Sequence, residues 1–478
     1  MRLQTGLAGA AIVLAPLSSA LAQTPPPTDP AVLLQRLEEA EQRIKVLERK
    51  IELDKEAATA AAASTPQVRA GGTRYSIGNA DGSSFVRFRG VLQADGRHFE
   101  GDGSPATSNQ WLLRRVRPIV EGTLVNIYDF RITPDFGGGR AVVQDAYITA
   151  RLQTWAALTF GKFKQQIGLE RIQSATDLRF IERGFPTSLL PNRDIGVMAS
   201  GDIGSGKIAY SISYTNGVLD GASSENLPTP DNESDAKGDI SARVFFQPFL
   251  TSDSFALRGL GFGIAATYVD FTSSPANPLL PSYRTPGQAT FFSYRASTAA
   301  SDTAPAVNGA FAAGQRLRYT PQFYYYYNNI GLLGEYAVVS QDVARTVGAV
   351  TRSDTLDNKA WQLQFSWLVT GEEETFRSPV PATTFQPGAP GWGAWELVAR
   401  VQELKIDDLA FAEGAASYAN PATAARRARS AGLGVNWYLN QNVKWSVNYE
   451  QTQFDGGAAD GGDRPDEKAL FTRVGLGF

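Results

Sequence analysis

Residues Val443–Glu450 read VKWSVNYE, a stretch in which every second side chain is apolar or aromatic and those between them are polar. Successive side chains of a β-strand point to opposite faces of a sheet, so this period of two predicts a strand with one apolar face. The same pattern occurs in Trp361–Trp367 (WQLQFSW) and Ile208–Tyr214 (IAYSISY), and it recurs between Phe85 and Phe478. The fold prediction rests on this repeated alternation.

The polar faces carry charges in segment after segment, and aromatic residues cluster towards the segment ends. Both features are typical of a membrane barrel that has an apolar outer band, aromatic girdles and a polar lumen. No apolar run after residue 22 could form a spanning helix, and a closed barrel satisfies every backbone group in a bilayer. At roughly 25 residues per strand and connection, residues 85–478 predict an all-β transmembrane barrel of about sixteen antiparallel strands. A soluble β-sandwich or propeller is the alternative.

The N-terminal residues predict export. Arg2 precedes the apolar run Leu7–Leu17, and Ala20, Leu21 and Ala22 give the small-x-small pattern of a cleavage site. The run is shorter than the ~20 residues that cross a bilayer, so we expect a signal peptide over residues 1–22 rather than an anchor. The chain contains no cysteine, which excludes a disulfide framework and a lipid anchor on an N-terminal cysteine.

A proline-rich linker over residues 23–30 precedes a predicted helix over residues 31–63, and a second linker over residues 64–84 leads to the barrel. Apolar residues of the helix recur at spacings of four and three, which is the heptad period of a coiled coil. Arginines at g and glutamates at e would meet across parallel chains, so we expect self-association. A lone amphipathic helix is the alternative. The a positions are Leu37, Ile44 and Ile51, and the d positions are Leu33, Ala40 and Leu47.

Several other functions are disfavoured by the sequence. A net charge of −3 argues against a nucleic-acid partner. His98 is the only histidine, which excludes a multi-histidine metal site, and its surroundings lack the strand–turn–helix context of a serine hydrolase. Gly201–Lys207 resembles a phosphate-binding loop, but Ile208 stands where that motif needs Ser or Thr, so we expect a turn. We expect neither an enzyme nor a cofactor, with a barrel hydrolase that depends on His98 as the alternative.

Arginines fall on the polar faces of several predicted strands. If Val116, Val120 and Leu124 face lipid, then Arg115 and Arg117 face the lumen. Guanidinium groups suit phosphate oxygens, and rings of Arg and Lys are how pores select anions. The alternative is that lumenal carboxylates neutralise these charges. Further arginines on polar faces are Arg87, Arg89, Arg97, Arg131 and Arg151, and the candidate carboxylates are Asp95, Glu121, Asp129, Asp135 and Asp145.

Several short motifs, specific only in combination, occur along the predicted barrel. They are VLQAD (91–95), RR (114–115) ahead of GT (122–123), FGKF (160–163), IGLE (167–170), ER (182–183), GAWEL (393–397) and GLGVNWY (432–438). With these motifs the chain resembles the phosphate-selective porin O/P family. The resemblance implies a sixteen-stranded barrel, a homotrimer, loops folded into the lumen and a periplasmic N-terminal segment that can form a coiled coil. It also makes Phe478 the C-terminal signal for membrane insertion.

The resemblance implies roles for individual residues. Arg114 and Arg115 match the family's paired constriction arginines, Arg183 matches another basic contact, and Arg171 matches a position where lysine is usual. Alternation places Arg115 and Arg117 inside the barrel, but not Arg114. The lumenal role of Arg114 therefore rests on the resemblance alone.

The chain also departs from the best-known members of the family. Val91 stands where they carry an arginine, whereas Arg117 and Lys164 add positive charge where they have uncharged or acidic residues. The loop that is rich in arginine in those members contains few arginines here. Between residues 270 and 320 the arginines are Arg284, Arg295, Arg316 and Arg318. This redistribution favours a larger polyanion or a general preference for anions over tight orthophosphate selectivity.

The sequence therefore predicts a porin in the outer membrane of a Gram-negative bacterium, for passive diffusion of small anions of phosphate or polyphosphate type. Its expected partners are these anions, outer-membrane lipid and further copies of itself. A general, weakly selective porin and a coiled-coil tether anchored by the barrel are the alternatives. The candidate constriction residues are Arg89, Arg114, Arg115, Arg117, Lys164, Arg171 and Arg183.

Overall fold

The computed structural model describes residues 29–71, 74–101, 108–224, 237–270, 273–299 and 307–478. The predicted signal peptide and nearly all of the proline-rich linker lie outside the described residues. The chain divides after Thr65 into two compact units, one containing the N-terminal helix and the other the barrel.

The first unit is the helix α1 (Pro30–Ser64), which confirms the predicted N-terminal helix. The Asp29 side chain accepts a hydrogen bond from the Ala31 N–H at 3.0 Å, and Pro30 occupies the first turn, where its missing N–H costs nothing. Pro30 therefore belongs to the helix rather than to the linker. The heptad side chains are exposed, Leu37 by 57% and Ile44 by 53%. No helix in the described part of the chain is long and apolar enough to cross a membrane.

The second unit is a closed barrel of sixteen antiparallel strands, β3–β11 and β14–β20, as the sequence predicts. Pairing of β20 with β3 closes the barrel. All strands of the unit are β1 (Gln67–Gly71), β2 (Arg74–Gly78), β3 (Phe85–Glu100), β4 (Gln110–Leu124), β5 (Tyr128–Asp135), β6 (Val142–Gln153), β7 (Ala156–Lys164), β8 (Arg193–Ile203), β9 (Ile208–Thr215), β10 (Asp239–Phe246), β11 (Leu260–Asp270), β12 (Ser282–Arg284), β13 (Thr290–Ser293), β14 (Ala310–Tyr327), β15 (Ile330–Val347), β16 (Val350–Leu368), β17 (Ala394–Lys405), β18 (Ala425–Tyr438), β19 (Val443–Gly456) and β20 (Glu467–Gly477). The short helices are α2 (Leu169–Ile172), α3 (Pro186–Leu189) and α4 (Phe255–Arg258).

The alternation sorts side chains to the two faces of the barrel wall. On β16, Gln362 and Gln364 point inward and are buried, whereas Leu363 and Phe365 point outward and are about two-fifths exposed. The connections differ between the two ends. One, here the long-loop end, has long connections such as residues 165–192 and 271–309, and the other, the short-turn end, has mainly tight turns. The segment Gly201–Lys207 holds one of those turns, as predicted, between β8 and β9.

A hairpin extends the wall within the predicted linker of residues 64–84. Strands β1 and β2 pair with each other, and β2 pairs with the first part of β3, where Tyr75 lies opposite Phe88. The last strand, β20, reaches β3 only as far as the pair of Gly477 with Val91. The hairpin thus covers an edge of β3 that would otherwise be unpaired, which is how exposed strand edges are protected.

Residues 165–192, here called the insert loop, fold into the lumen. The Phe185 N–H donates to Gln402 Oε1 at 2.7 Å, and the Asn436 side-chain amide donates to the Arg179 carbonyl at 2.9 Å. The Ile181 N–H likewise donates to a lumenal asparagine at 2.7 Å. Inward polar side chains of β17–β19 therefore satisfy the backbone of a buried loop, which would otherwise be costly to dehydrate.

An apolar core fills part of the lumen on the β14–β19 side. Phe185 and Leu189 of the insert loop are buried with Tyr283 and Phe292 of loop 271–309. Inward side chains of β15, such as Val339, complete this core. The predicted polar lumen is present on this side in side chains such as Gln362 and Arg400, but the apolar core lies beside them. The open space lies against the opposite wall.

Candidate functional site

A cavity of about 1480 Å³ lies between the inner faces of β3–β8 and the insert loop. Residues of loop 271–309 also line it. All seven candidate constriction residues predicted from the sequence line this one cavity. These residues are Arg89, Arg114, Arg115, Arg117, Lys164, Arg171 and Arg183.

A β-bulge places the arginine pair of β4 in the cavity. Gln93 lies opposite Arg115 and Ala94 lies opposite Leu113, so Arg114 has no partner on β3. An extra residue of this kind interrupts the alternation of side chains between the two faces. Both arginines can therefore line the cavity, although strict alternation would put one of them outside.

Three of the seven predicted cations form ion pairs with carboxylates. Arg114 Nε lies 2.8 Å from Glu182 Oε1, and Arg117 Nε lies 2.7 Å from Asp135 Oδ2. The third pair, between Arg89 and a β4 glutamate, is looser at 3.4 Å. Burial raises the pKa of Glu182, but Arg114 and another arginine lower it by more, so its pKa lies well below the usual range. Glu182 is therefore a permanent counter-charge.

The other four predicted cations, Arg115, Lys164, Arg171 and Arg183, form no ion pair with any described residue, and we call them the cationic cluster. Arg115 Nη1 donates to the neutral side chain of Gln93 at 2.6 Å, and its Nε is buried without a partner. Lys164 Nζ donates at 3.0 Å to a backbone carbonyl of the insert loop. The positive charges of Arg115 and Lys164 are thus not balanced by an ion pair with any described carboxylate.

The insert loop supplies two members of the cluster. Arg183 donates to the Glu170 carbonyl at 3.1 Å and to the Gln173 carbonyl at 2.9 Å, and Arg171 donates to the Thr187 carbonyl. Burial, followed by the nearby charges of Arg183 and another arginine, lowers the pKa of Arg171 to about 9. Burial is also the main cause that lowers the pKa of Arg183 to about 10. Both remain protonated at neutral pH.

Two positive charges lie opposite each other on neighbouring strands of the wall beside the cluster. Lys164, the last residue of β7, lies directly opposite Arg193, the first residue of β8. Like charges at opposite positions of neighbouring strands are destabilising. Asp145 offsets part of this repulsion through an ion pair with Arg193 Nε at 2.8 Å. Arg193 was not predicted from the sequence, because only the β7–β8 register places it opposite Lys164.

Among the described residues, positive charge dominates the lining of the cavity, with thirteen Arg or Lys residues against five Asp or Glu residues. The five carboxylates proposed from sequence all pair with arginines, but only Asp135 and Asp145 line the cavity, so neutralisation is partial. The described lining cations outside the seven candidates are Arg97, Arg131, Arg140, Arg193, Arg284 and Arg377, and the described lining acids are Asp135, Asp145, Asp177, Glu182 and Asp220.

Comparison with known proteins agrees with this architecture. The model of the family described as phosphate-selective porin O and P matches residues 86–478. Porin O of Pseudomonas aeruginosa is 26% identical over 144 residues, which are 30% of this chain and 32% of that protein. The match therefore spans about a third of the length of this relative.

Two solved structures share the fold. The outer membrane channel DcaP of Acinetobacter baumannii superposes with a TM-score of 0.51 at 10% identity, over 83% of this chain and 98% of that chain. In-vitro folded OmpT of Vibrio cholerae gives a TM-score of 0.50 at 10% identity, over 83% of this chain and 100% of that chain. Because the family model covers nearly the whole barrel, the chain belongs to the phosphate-selective porin O and P family and is an outer-membrane porin of a Gram-negative bacterium.

Proposed function

We propose that this porin lets small anions diffuse passively through the barrel and that phosphate-type solutes bind transiently at the cationic cluster. The observation that supports this most is the surplus of eight positive charges among the described residues of the cavity lining, together with the cluster's lack of ion pairs with any described residue. A surplus that carboxylates neutralise only in part attracts anions and repels cations. The long-loop end is proposed to face the outside, as is usual for barrels of this kind.

The cluster offers the chemistry that an oxyanion needs. Its guanidinium groups and ammonium group now donate to neutral oxygens, and an incoming phosphate would accept stronger, charge-assisted hydrogen bonds from them. The lowered pKa values of Arg171 and Arg183 mean that burial and like charges disfavour their protonated forms. An anion would supply the missing counter-charge. Arg89, Arg114 and Arg117 would add contacts at the edges of the cluster.

Transport also requires release. The carboxylates beside the cluster, Glu182, Asp135 and Asp145, already hold part of the positive charge. They compete with a bound anion for the same donors, so the affinity of each site for the anion stays modest. Several weak sites suit conduction better than one tight site.

The proposal is tested by adding phosphate to purified channels that carry chloride current in a planar bilayer. We expect a saturable fall in chloride conductance, because phosphate occupies the cluster for longer than chloride does. Chloride conduction without any block would mean a general porin of weak selectivity. Preference for cations would mean that the lumenal acids outweigh the arginines, and it would contradict the proposal.

Glu182→Gln is expected to lower the phosphate concentration that halves the chloride current by roughly three- to tenfold, since it frees Arg114 and Arg97 from their shared carboxylate. Glu403→Gln is the control. It makes the same change on β17, but Glu403 pairs with Arg427 and Arg429 and does not line the cavity. Equal half-blocking concentrations in Glu182→Gln and wild type would show that this carboxylate does not limit anion binding.

We further propose that α1 joins chains into a parallel coiled coil in the periplasm and that the barrels assemble as a homotrimer. The support for the coiled coil is the apolar stripe of α1, in which Leu37, Leu47 and Ile51 are each more than half exposed. About three heptads alone would be marginally stable, so contacts between the barrels would carry most of the association.

The chain has no cysteine, which permits a direct test of helix pairing. Ile44→Cys at an a position is expected to give covalent dimers under mild oxidation, because a residues face each other in a parallel coiled coil. Gln42→Cys, at an outward f position of the same helix, is the control and should cross-link far less. Equal cross-linking of both variants on a denaturing gel would argue for random collision rather than a coiled coil.

A further inference from the structure

A second cavity, of about 440 Å³, lies at the short-turn end of the barrel. It meets the large cavity at a boundary that we call the neck, whose six residues line both spaces. One side of the neck comes from β3, one from the tip of the insert loop, and one from loop 369–393, which enters from the short-turn end. The neck residues are Arg89, Val91, Ala175, Thr176, Asp177 and Arg377.

Hydrogen bonds hold the backbone at Arg377 in place at the neck. The Arg377 carbonyl accepts a hydrogen bond from Arg179 Nη2 at 3.0 Å. Next to it, the Ser378 N–H donates to Asp177 Oδ1 at 3.1 Å and the Ser378 hydroxyl donates to the Thr176 carbonyl at 2.8 Å. Two loops that enter from opposite ends of the barrel are thus joined at this point. The joint fixes the position from which the Arg377 side chain extends.

The side chain of Arg377, in contrast, is exposed and forms no hydrogen bond or ion pair with any residue that the structure describes. The other cations of the second cavity are engaged. Arg473 forms an ion pair with a buried aspartate at 2.6 Å, Lys444 donates to the Leu178 carbonyl at 2.7 Å, and Arg89 shares a glutamate with its neighbour Arg87. Arg377 therefore has the most available donors at the neck.

We propose that Arg377 is a specificity-determining residue for oxyanions, one that receives the anion as it moves between the cationic cluster and the short-turn end. This inference rests on the proposed function of the cluster and adds a second contact on the exit side. A fixed backbone and a free guanidinium allow the side chain to contact an anion in either cavity. Exchange between two separate cationic sites lowers the cost of leaving the first one.

The test is block of single-channel chloride current by inorganic phosphate added to one side at a time, in wild type, Arg377→Ala and Arg377→Lys. We expect Arg377→Ala to raise the half-blocking concentration roughly three- to tenfold from the short-turn side and less than twofold from the other side. Arg377→Lys should recover most of the loss, because it retains the charge. Arg258→Ala is the control, since Arg258 lies at the same end but lines neither cavity.

Unchanged block from both sides in Arg377→Ala would overturn the inference while leaving the proposed function intact. An equal rise from both sides would also overturn it, because the residue would then act only through the net charge of the lumen. Wild-type channels that phosphate does not block at all would overturn the inference together with the proposed phosphate site. A folded band on an unheated gel and a β-sheet circular dichroism spectrum like those of wild type show that each variant has folded.

Discussion

A porin carrying Lys164→Glu is expected to lose block by phosphate, with the half-blocking concentration rising by at least about 100-fold. The substitution changes the local charge by two units directly opposite Arg193 and close to Arg183. At a separation of about 4 Å and an effective dielectric constant of about 20, each unit is worth about 4 kcal/mol. Even after screening by salt, this exceeds the roughly 2.8 kcal/mol that a 100-fold change requires. The new carboxylate would also occupy the donors that phosphate needs.

Lys164→Gln separates charge from geometry in this test. The glutamine amide can still donate to the insert-loop carbonyls that Lys164 now contacts, so the loop should stay in place. We expect its half-blocking concentration to rise by roughly tenfold, between wild type and Lys164→Glu. Phosphate titration of chloride conductance measures all three proteins. If Lys164→Glu were blocked as readily as wild type, the cationic cluster could not be the phosphate site.

Arg179→Ala is expected to cause the largest loss of stability, roughly 3–5 kcal/mol. Arg179 is 2% exposed and lies 2.7 Å from carboxylate oxygens of both Glu374 and Glu396. Removing it leaves two buried carboxylates without an ion-pair partner. It also removes two hydrogen bonds to carbonyls of loop 369–393, so that fewer contacts join this loop to the insert loop. A lower temperature at which the folded band disappears on a gel, together with noisier channel current, would reveal the change.

The pH dependence gives Arg179→Ala a second readout. Burial raises the pKa of Glu374 to about 7 even though Arg179 opposes the shift, and without Arg179 the pKa should rise further. A carboxyl whose folded pKa is raised contributes stability at low pH and loses it as pH rises through that value. The variant should therefore be less destabilised at pH 6 than at pH 8. A further Glu374→Gln change should recover part of the loss at pH 8. Equal stability of Arg179→Ala and wild type would show that the ion pairs of Arg179 with Glu374 and Glu396 do not stabilise the fold.

The barrel could be predicted from sequence because a lipid-facing wall imposes a period of two on every strand. The hairpin β1–β2 gave no such signal, since its strands have five residues each and the side chains of β1 are exposed. The sequence also did not reveal that apolar side chains fill part of the lumen. Residues such as Val339 look lipid-facing by type, and only the inserted loops explain why they point inward.

The sequence predicted which cations line the candidate site, but not which of them form ion pairs. Alternation and family resemblance together selected seven cations, and all seven line one cavity. Which of them keep a free charge depends on the fold of the insert loop, which brings Glu182 to Arg114 over 68 positions in sequence. The bulge at Arg114 and the register between Lys164 and Arg193 are likewise set by pairing between strands, which periodicity does not report.

The reversal potential of the purified porin in a planar bilayer under a potassium chloride gradient tests anion selection most directly. The surplus of positive charge on the cavity lining predicts a potential close to that of chloride, because anions enter the lumen and cations are repelled. A potential close to that of potassium would contradict this account, since it would mean that the carboxylates of the lumen control the passage of ions.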